Sequence, residues 1–283
     1  MMNELEKSRN LERAARLLDG ADMLIFVTGA GMGVDSGLPD FRGNQGFWRA
    51  YPALGRDRID FISIASPRAF RRHPDLAWGF YGQRLALYRQ TTPHQGYQIL
   101  KKWGGQSPCG YAAFTSNVDG HFQKAGLDAG LVTECHGSIH HLQCLNACTT
   151  DIWPANGFTP MVEEENCRLL NEPPACPHCG GLARPNIYMF GDEEWLEHRT
   201  YTQHRRLEHW LRDAERLLVI EIGAGTAIPT ARDFTHRLAF ELRAPVIRIN
   251  PQDASIHGNP GHVSLTMNGL EALRAVDALL MAP

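Results

Sequence analysis

The chain has 283 residues, with 28 lysines and arginines against 31 aspartates and glutamates and a formal net charge of −3. That length suffices for one large core or a core with insertions, and the near-balanced charge excludes the basic footprint that direct nucleic-acid binding needs. No apolar run approaches a membrane span, and the start carries Asn3, Glu4, Lys7 and Arg9 in place of a hydrophobic signal core. The expectation is a soluble, cytoplasmic protein with neither nucleic acid nor membrane as a partner.

Leu11 to Leu18 has the apolar spacing of an amphipathic helix and leads into Met23 to Val27, which reads as a buried strand. Gly29-Ala30-Gly31 follows at once. Such a side-chain-poor turn lets backbone approach a pyrophosphate at a helix N-terminus, which is half of a dinucleotide site. From about Gly43 to Pro93 the chain is rich in aromatics and shows no strand pattern, so a helical insertion is predicted. Tyr111 to Phe114 is a short strand ending at Thr115-Ser116-Asn117-Val118-Asp119-Gly120, and Leu131 to Thr133 another, ending near His136-Gly137.

A different unit interrupts the pattern between Gln143 and Arg184. Seven cysteines, an odd number, argue for metal ligands or free thiols over a disulfide framework. Cys176-Pro177-His178-Cys179-Gly180-Gly181 has the knuckle form that closes two thiolates on a tetrahedral zinc ion, and Cys144 and Cys148, spaced one residue wider than C-x-x-C, supply the other two. Cys167 is a spare candidate ligand, and the bland alternative for all of them is a set of small buried hydrophobes. Beyond the unit, Leu217 to Ile222 is the clearest buried strand. Gly223-Ala224-Gly225, a helix-like run from Thr230 to Leu242 and a strand from Val246 to Ile249, ending at Asn250, complete the pattern. The alternation predicts an α/β fold with a doubly wound parallel sheet, each motif following a strand at the carboxyl edge where ligands bind.

The continuation of the first turn, Ser36-Gly37-Leu38-Pro39-Asp40-Phe41-Arg42, resembles the signature of the sirtuins, NAD-dependent protein lysine deacylases with the form G-A-G-x-S-x-x-S-G-I-P-D-F-R. The Thr115 segment is similar to the family's T-Q-N-I-D, His136-Gly137 to its catalytic His-Gly, and Arg184-Pro185 through Phe190-Gly191-Asp192 to its R-P-x-x-x-x-F-G-E. Ile222-Gly223-Ala224-Gly225 and Ile249-Asn250 resemble its I-G-T-S and I-N, all in the family's order.

The resemblance implies a Rossmann-type NAD-binding domain from residues 1–45, 94–142 and 185–283, a helical insertion at 46–93 and a zinc-binding module at 143–184, with structural zinc. It also implies transfer of an acyl group from a protein lysine to ADP-ribose with release of nicotinamide. His136 would be the base, and Asn117 would hold a ribose hydroxyl or water. Asp119 would accept from the carboxamide, Arg42 neutralise the pyrophosphate, and Asp40 and Phe41 line the nicotinamide side. Gly29, Ala30, Gly31, Ser36 and Ser116 belong to the cofactor loops; Gly223, Gly225 and Asn250 serve the adenosine half; Phe190 and Gly191 face substrate.

Four departures stand out: Gly33 for the family's serine, Ser116 for its glutamine, Ala224-Gly225 for its threonine-serine and Asp192 for its glutamate. Tyr81 and Arg84, three apart on one helix face, resemble the Tyr-x-x-Arg pair of the subgroup that removes succinyl, malonyl and glutaryl groups, where an arginine fork receives the terminal carboxylate. A solvated helix-surface arginine is the alternative. The other functional readings are an NAD glycohydrolase or ADP-ribosyltransferase, which changes the acceptor, and a non-catalytic NAD or ADP-ribose sensor, which needs no base.

Overall fold

The computed structural model describes residues 4–39 and 43–281, so the expectations for Asp40, Phe41 and Arg42 lie outside the described residues. In chain order the strands are β1 (Met23–Thr28), β2 (Tyr111–Thr115), β3 (Val132–Glu134), β4 (Gly137–Cys144), β5 (Ile152–Pro154), β6 (Val162–Glu163), β7 (Arg168–Leu169), β8 (Ala183–Ile187), β9 (Leu217–Ile222), β10 (Val246–Ile249) and β11 (Val263–Leu265). Six of them form one sheet in the order β3-β2-β1-β9-β10-β11, every neighbouring pair parallel. That order reverses direction between β1 and β9, the switch point at which doubly wound sheets open a crevice for ligands.

The alternation of side chains along a strand builds two separate cores. Leu24 and Phe26 of β1 join Leu218, Ile220 and Val263 under the helices Glu4–Asp19, Gly96–Gln106 and Gly269–Leu280, which contribute Leu18, Trp103 and Leu273. Met23, Ile25 and Val27 point the other way, with Phe114 and Val219, onto Leu207 and Leu211 of helix His198–Leu211 and Phe234 and Leu238 of helix Thr230–Glu241. Both faces being covered explains why β1 and β9 read as unbroken apolar runs.

A third core lies outside this sheet. Residues 43–90 hold five helices joined by short turns, the last being Pro74–Gln90, in which Trp78, Phe80, Tyr81 and Leu85 are buried. These pack with Phe47, Tyr51 and Phe70 against Ile139, Leu142 and Ile187 of a small antiparallel sheet, ordered β5-β4-β8. Strand β4 therefore runs from beside His136 to Cys144, joining the candidate site to the cysteine cluster. Among the described residues no helix is long and apolar enough to cross a membrane.

Candidate active site

Register sets the site. Thr28 at the end of β1 pairs with Thr115 of β2 and with Ile222 of β9; Thr115 pairs with Glu134 of β3, and Ile222 with Ile249 of β10. The strands thus end level, and the loops leaving that row carry Gly29, Ser116, His136, Gly223 and Asn250.

At the switch point two of these loops touch. The Gly31 N–H donates to the Gly223 carbonyl at 3.0 Å and the Gly29 N–H to the Ile222 carbonyl at 3.1 Å. A Cβ on Gly31 would stand 2.7 Å from the Gly223 Cα, and one on Gly29 2.8 Å from the Ala224 Cα. Gly223 has a φ of +63°, and a Cβ there would lie 2.4 Å from the Gly31 carbonyl carbon. These glycines are needed because two backbones cross in contact. Ala30 and Gly225 are exposed beside the crossing, so its outer side is nearly bare of side chains. The Ser36 hydroxyl accepts from the His94 N–H at 2.9 Å and ties the loop to the segment before helix Gly96–Gln106.

The β2 and β3 loops carry the chemistry-bearing side chains. Thr28 and Thr115 join their hydroxyls at 2.8 Å, and the Thr115 hydroxyl accepts from the Asn117 N–H at 3.1 Å. The Asn117 amide donates to the Gly29 carbonyl at 3.0 Å, which fixes it against the glycine turn. Asp119 is buried, and its carboxylate accepts from the His121 N–H at 2.8 Å. Burial pushes its pKa up to about 6 against the opposing pull of that hydrogen bond, with Glu134 adding a further upward push.

His136 is half-buried, its Nε2 3.2 Å from the Thr230 hydroxyl. Burial holds its pKa below the usual histidine value, so the ring is neutral at pH 7 and has a lone pair to offer. The glycine after it has a steric cause: Gly137 has a φ of +81°, and a Cβ there would be 2.1 Å from the Asn186 carbonyl oxygen on β8.

The sulfurs of Cys144, Cys148, Cys176 and Cys179 lie within 4.8 Å of one another, with Cys144 to Cys179 at 3.8 Å and Cys148 to Cys176 at 3.6 Å. Four thiolates about 2.3 Å from one zinc ion stand about 3.8 Å apart along the edges of the tetrahedron, so the four cysteines are positioned to bind a structural zinc. The extra residue of the first pair is absorbed by Ala147, whose φ is +47° and whose N–H returns to the Cys144 carbonyl at 3.2 Å. Cys167 is not a spare ligand. It is buried in the third core, where its carbonyl packs so closely on helix Pro74–Gln90 that only Gly79 fits there.

A model of the Sir2 family matches residues 29–227, which hold the glycine crossing, Asn117, Asp119, His136 and all four zinc-site cysteines. The chain belongs to the Sir2 family. It is 31% identical over 235 residues to an NAD-dependent protein deacylase of Aquifex aeolicus, covering 82% of this chain and 85% of that one. A Thermus thermophilus protein of the same description is 28% identical over 282 residues, 96% of this chain and 94% of its own. Among solved structures, an ADP-ribose complex of a mutant Sir2 homologue with histidine changed to asparagine superposes with a TM-score of 0.69 at 25% identity, over 96% of this chain and 99% of that one.

At the β9 and β10 end of the row in this Sir2 chain, Asn250 is bonded within its own loop. It is 3% exposed, and its amide oxygen accepts from the Gln252 and Asp253 N–H groups at 3.0 Å each while its amide nitrogen donates to the Ala224 carbonyl at 3.1 Å. Two backbone donors occupy the oxygen, so Asn250 shapes the loop. Two arginines that the sequence reading did not single out work beside it. Arg232 donates to the carbonyls of Ala224 and Asp253, and Arg248 forms a buried ion pair with Glu221, Nε to Oε1 at 2.6 Å.

Asp192 is likewise bonded within the protein. Its two oxygens take a bidentate pair of bonds from Arg184 at 2.7 and 2.8 Å with both side chains fully buried, which closes the loop carrying Phe190 and Gly191. Phe190 is half-buried, packs edge-on to Phe61 and donates its N–H to the Ala65 carbonyl at 3.0 Å; Gly191 is exposed. Gly33 leaves room for Leu38, since a Cβ there would be 3.0 Å from Leu38 Cδ1. The Ser116 hydroxyl faces the Thr28 carbonyl at 3.4 Å.

Tyr81 and Arg84 are not on a solvated surface. Tyr81 is 1% exposed and stacks on Phe70; Arg84 is 7% exposed, lies over the rings of Phe80, Tyr81 and Tyr88, and donates to the Tyr88 hydroxyl through Nη2 at 2.9 Å. Its charge reaches Asp119, whose pKa it draws down.

Proposed function

We propose that this protein is an NAD-dependent protein lysine deacylase that moves the acyl group of a lysine side chain to ADP-ribose and releases nicotinamide. The observation that carries the reading is His136: a neutral imidazole on the same sheet edge as the bare glycine crossing, with Asn117 and Asp119 in the neighbouring loop. A module that only binds NAD or ADP-ribose has no use for a base held neutral there.

Bound NAD supplies a strongly electrophilic ribose carbon and nicotinamide as its leaving group. The residues divide the remaining work. The side-chain-poor crossing of Gly29, Gly31 and Gly223, open at Ala30 and Gly225, admits the pyrophosphate. Asp119, with a pKa near neutrality, hydrogen-bonds the carboxamide, and Asn117 orients a ribose hydroxyl. His136 Nε2 takes the proton of the ribose hydroxyl that attacks the transferred acyl group. Zinc at the four cysteines holds the far end of β4 and takes no part in the chemistry.

The test is incubation with NAD and a panel of acetyl-, succinyl- and longer acyl-lysine peptides. The reading expects one nicotinamide for each peptide deacylated. Nicotinamide formed without any peptide would replace it with the glycohydrolase reading.

The acyl group we propose is of the acidic, succinyl or malonyl type, because Arg84 places a guanidinium inside the third core near Asp119, beside the phenols of Tyr81 and Tyr88. A terminal carboxylate meeting it gains charge-assisted hydrogen bonds. Arg84→Met should lower succinyl-lysine turnover at least tenfold more than acetyl-lysine turnover, measured as kcat/KM. Equal losses for the two peptides would assign Arg84 to the support of Asp119 instead.

A further inference from the structure

Strand β3 lies at an edge of the six-stranded sheet, paired with β2 alone, and its last residue, Glu134, stands two positions before His136. An edge strand has N–H and C=O groups with no partner strand. Side chains take the place of that strand here. The Glu134 N–H donates to Gln203 Oε1 at 3.0 Å, and the Glu134 carbonyl accepts from the Thr200 hydroxyl at 3.2 Å. Arg199 Nη2 donates to Oε2 of the Glu134 carboxylate, a side chain 2% exposed, and Gln203 Nε2 faces the same oxygen at 3.4 Å. The N–H, the carbonyl and the carboxylate of one residue are thus all held from the first two turns of helix His198–Leu211. The two residues that follow are held from other elements. The Cys135 N–H donates to the Thr115 carbonyl at 3.0 Å, and the His136 carbonyl accepts from the Tyr188 N–H at 2.9 Å.

We propose that Arg199, Thr200 and Gln203 are positioning residues for His136, fixing the open edge of β3 and with it the place at which the imidazole stands in the cleft. What the imidazole does there rests on the deacylase reading; the grip on Glu134 does not.

Attachment of the helix to the sheet does not need these bonds. Leu207 and Leu211 of the same helix are buried with Met23, Ile25 and Leu217, and apolar burial of that kind is non-directional. It would keep the helix on the sheet and still let the end of β3 shift beneath it. Hydrogen bonds weaken steeply as their geometry departs from the ideal, so bonds to both the N–H and the carbonyl of Glu134 fix its backbone where packing alone would not. A base must come within about 2.6–3.2 Å of the proton it takes, and that tolerance is the one these bonds supply.

The experiment separates two steps of the reaction. Departure of nicotinamide precedes the step that His136 serves, so incorporation of labelled nicotinamide into NAD in the presence of an acyl-lysine peptide reads the cleft without the base. Gln203→Met and Thr200→Val should each lower kcat for deacylation about tenfold, with nicotinamide incorporation and the KM for NAD within about twofold of wild type, the pattern of a misplaced base in an intact site. Thr200→Ser keeps the hydroxyl and should keep kcat. Hydrogen–deuterium exchange of the full chain without NAD gives a readout apart from activity: the Glu134 amide should exchange at least about tenfold faster in Gln203→Met. Deacylation and nicotinamide incorporation falling together would make the three residues ordinary supports of the fold. A normal kcat in Gln203→Met, equal losses in the serine and valine variants, or an unchanged Glu134 amide would overturn the proposal as well. Nicotinamide release by wild type without deacylated peptide would sink the deacylase reading itself, a result seen before any variant is compared.

Discussion

The two ends of the cofactor cleft are built on opposite plans. At the end proposed for nicotinamide, β2 and β3 end in loops whose backbone is pinned by threonine hydroxyls and by Gly137, leaving His136 and Asn117 half-buried at the cleft. At the end proposed for adenosine the side chains are consumed by the backbone: Asn250, Arg232 and Arg248 all bond main-chain carbonyls, two of them the same Ala224 carbonyl. One end uses backbone to present side chains, and the other uses side chains to present backbone. Replacement of the family's threonine-serine by Ala224-Gly225 is tolerable on the second plan, because what the loop offers there is its peptide groups.

The crossing that joins the two ends should give the largest effect. Gly223→Ala forces a Cβ to 2.4 Å from main chain at a φ of +63°. It should cost at least about 3 kcal/mol of stability, seen as a lowered urea midpoint. A variant of normal stability that binds NAD would mean the loops can part freely.

Acid should come next. His121 and His141 are pushed down to about 4 by burial, and His94 and His136 are lowered by the same cause. As pH falls below about 6.5 the unfolded chain takes up protons that these folded sites refuse. Stability should therefore be present above pH 6.5 and decline toward pH 4. Asp119, raised to about 6, works in the opposite sense and offsets part of the loss. Urea midpoints at pH 7.5 and 5 measure the slope, and His121→Leu should flatten it; an unchanged slope would count against a buried neutral His121.

A paired comparison carries the smallest stability effect and the sharpest contrast. Asn250→Ala should cost about 1 kcal/mol, since it removes the part-buried bonds to the Gln252 and Asp253 N–H groups and one of the donors to the Ala224 carbonyl, and should raise the KM for NAD. Asn117→Ala should leave stability within about 1 kcal/mol and lower kcat. Matching profiles for the two would erase the distinction between the ends.

What was legible in the sequence follows the same division. Gly29, Gly31, Gly137 and Gly223 could be read because contact between backbones, or a positive φ, leaves no other residue, and the four cysteines because zinc geometry demands them. The loop bonds of Asn250 could not be read, because its partners are backbone groups whose positions depend on the folded turn. Thr230 reaches His136 across 94 positions, and Arg184 meets Asp192 only once the loop closes. Strand β11 escaped notice because three residues are too few to show a period.

His136 is where the account is most exposed. His136→Ala should lower kcat/KM for acyl-lysine removal by about a hundredfold or more, the scale of a lost general base, while urea midpoint and NAD affinity stay near those of the parent protein. Near-normal turnover in a folded, NAD-binding His136→Ala protein would contradict the assignment of the base and with it the chemistry proposed for the cleft.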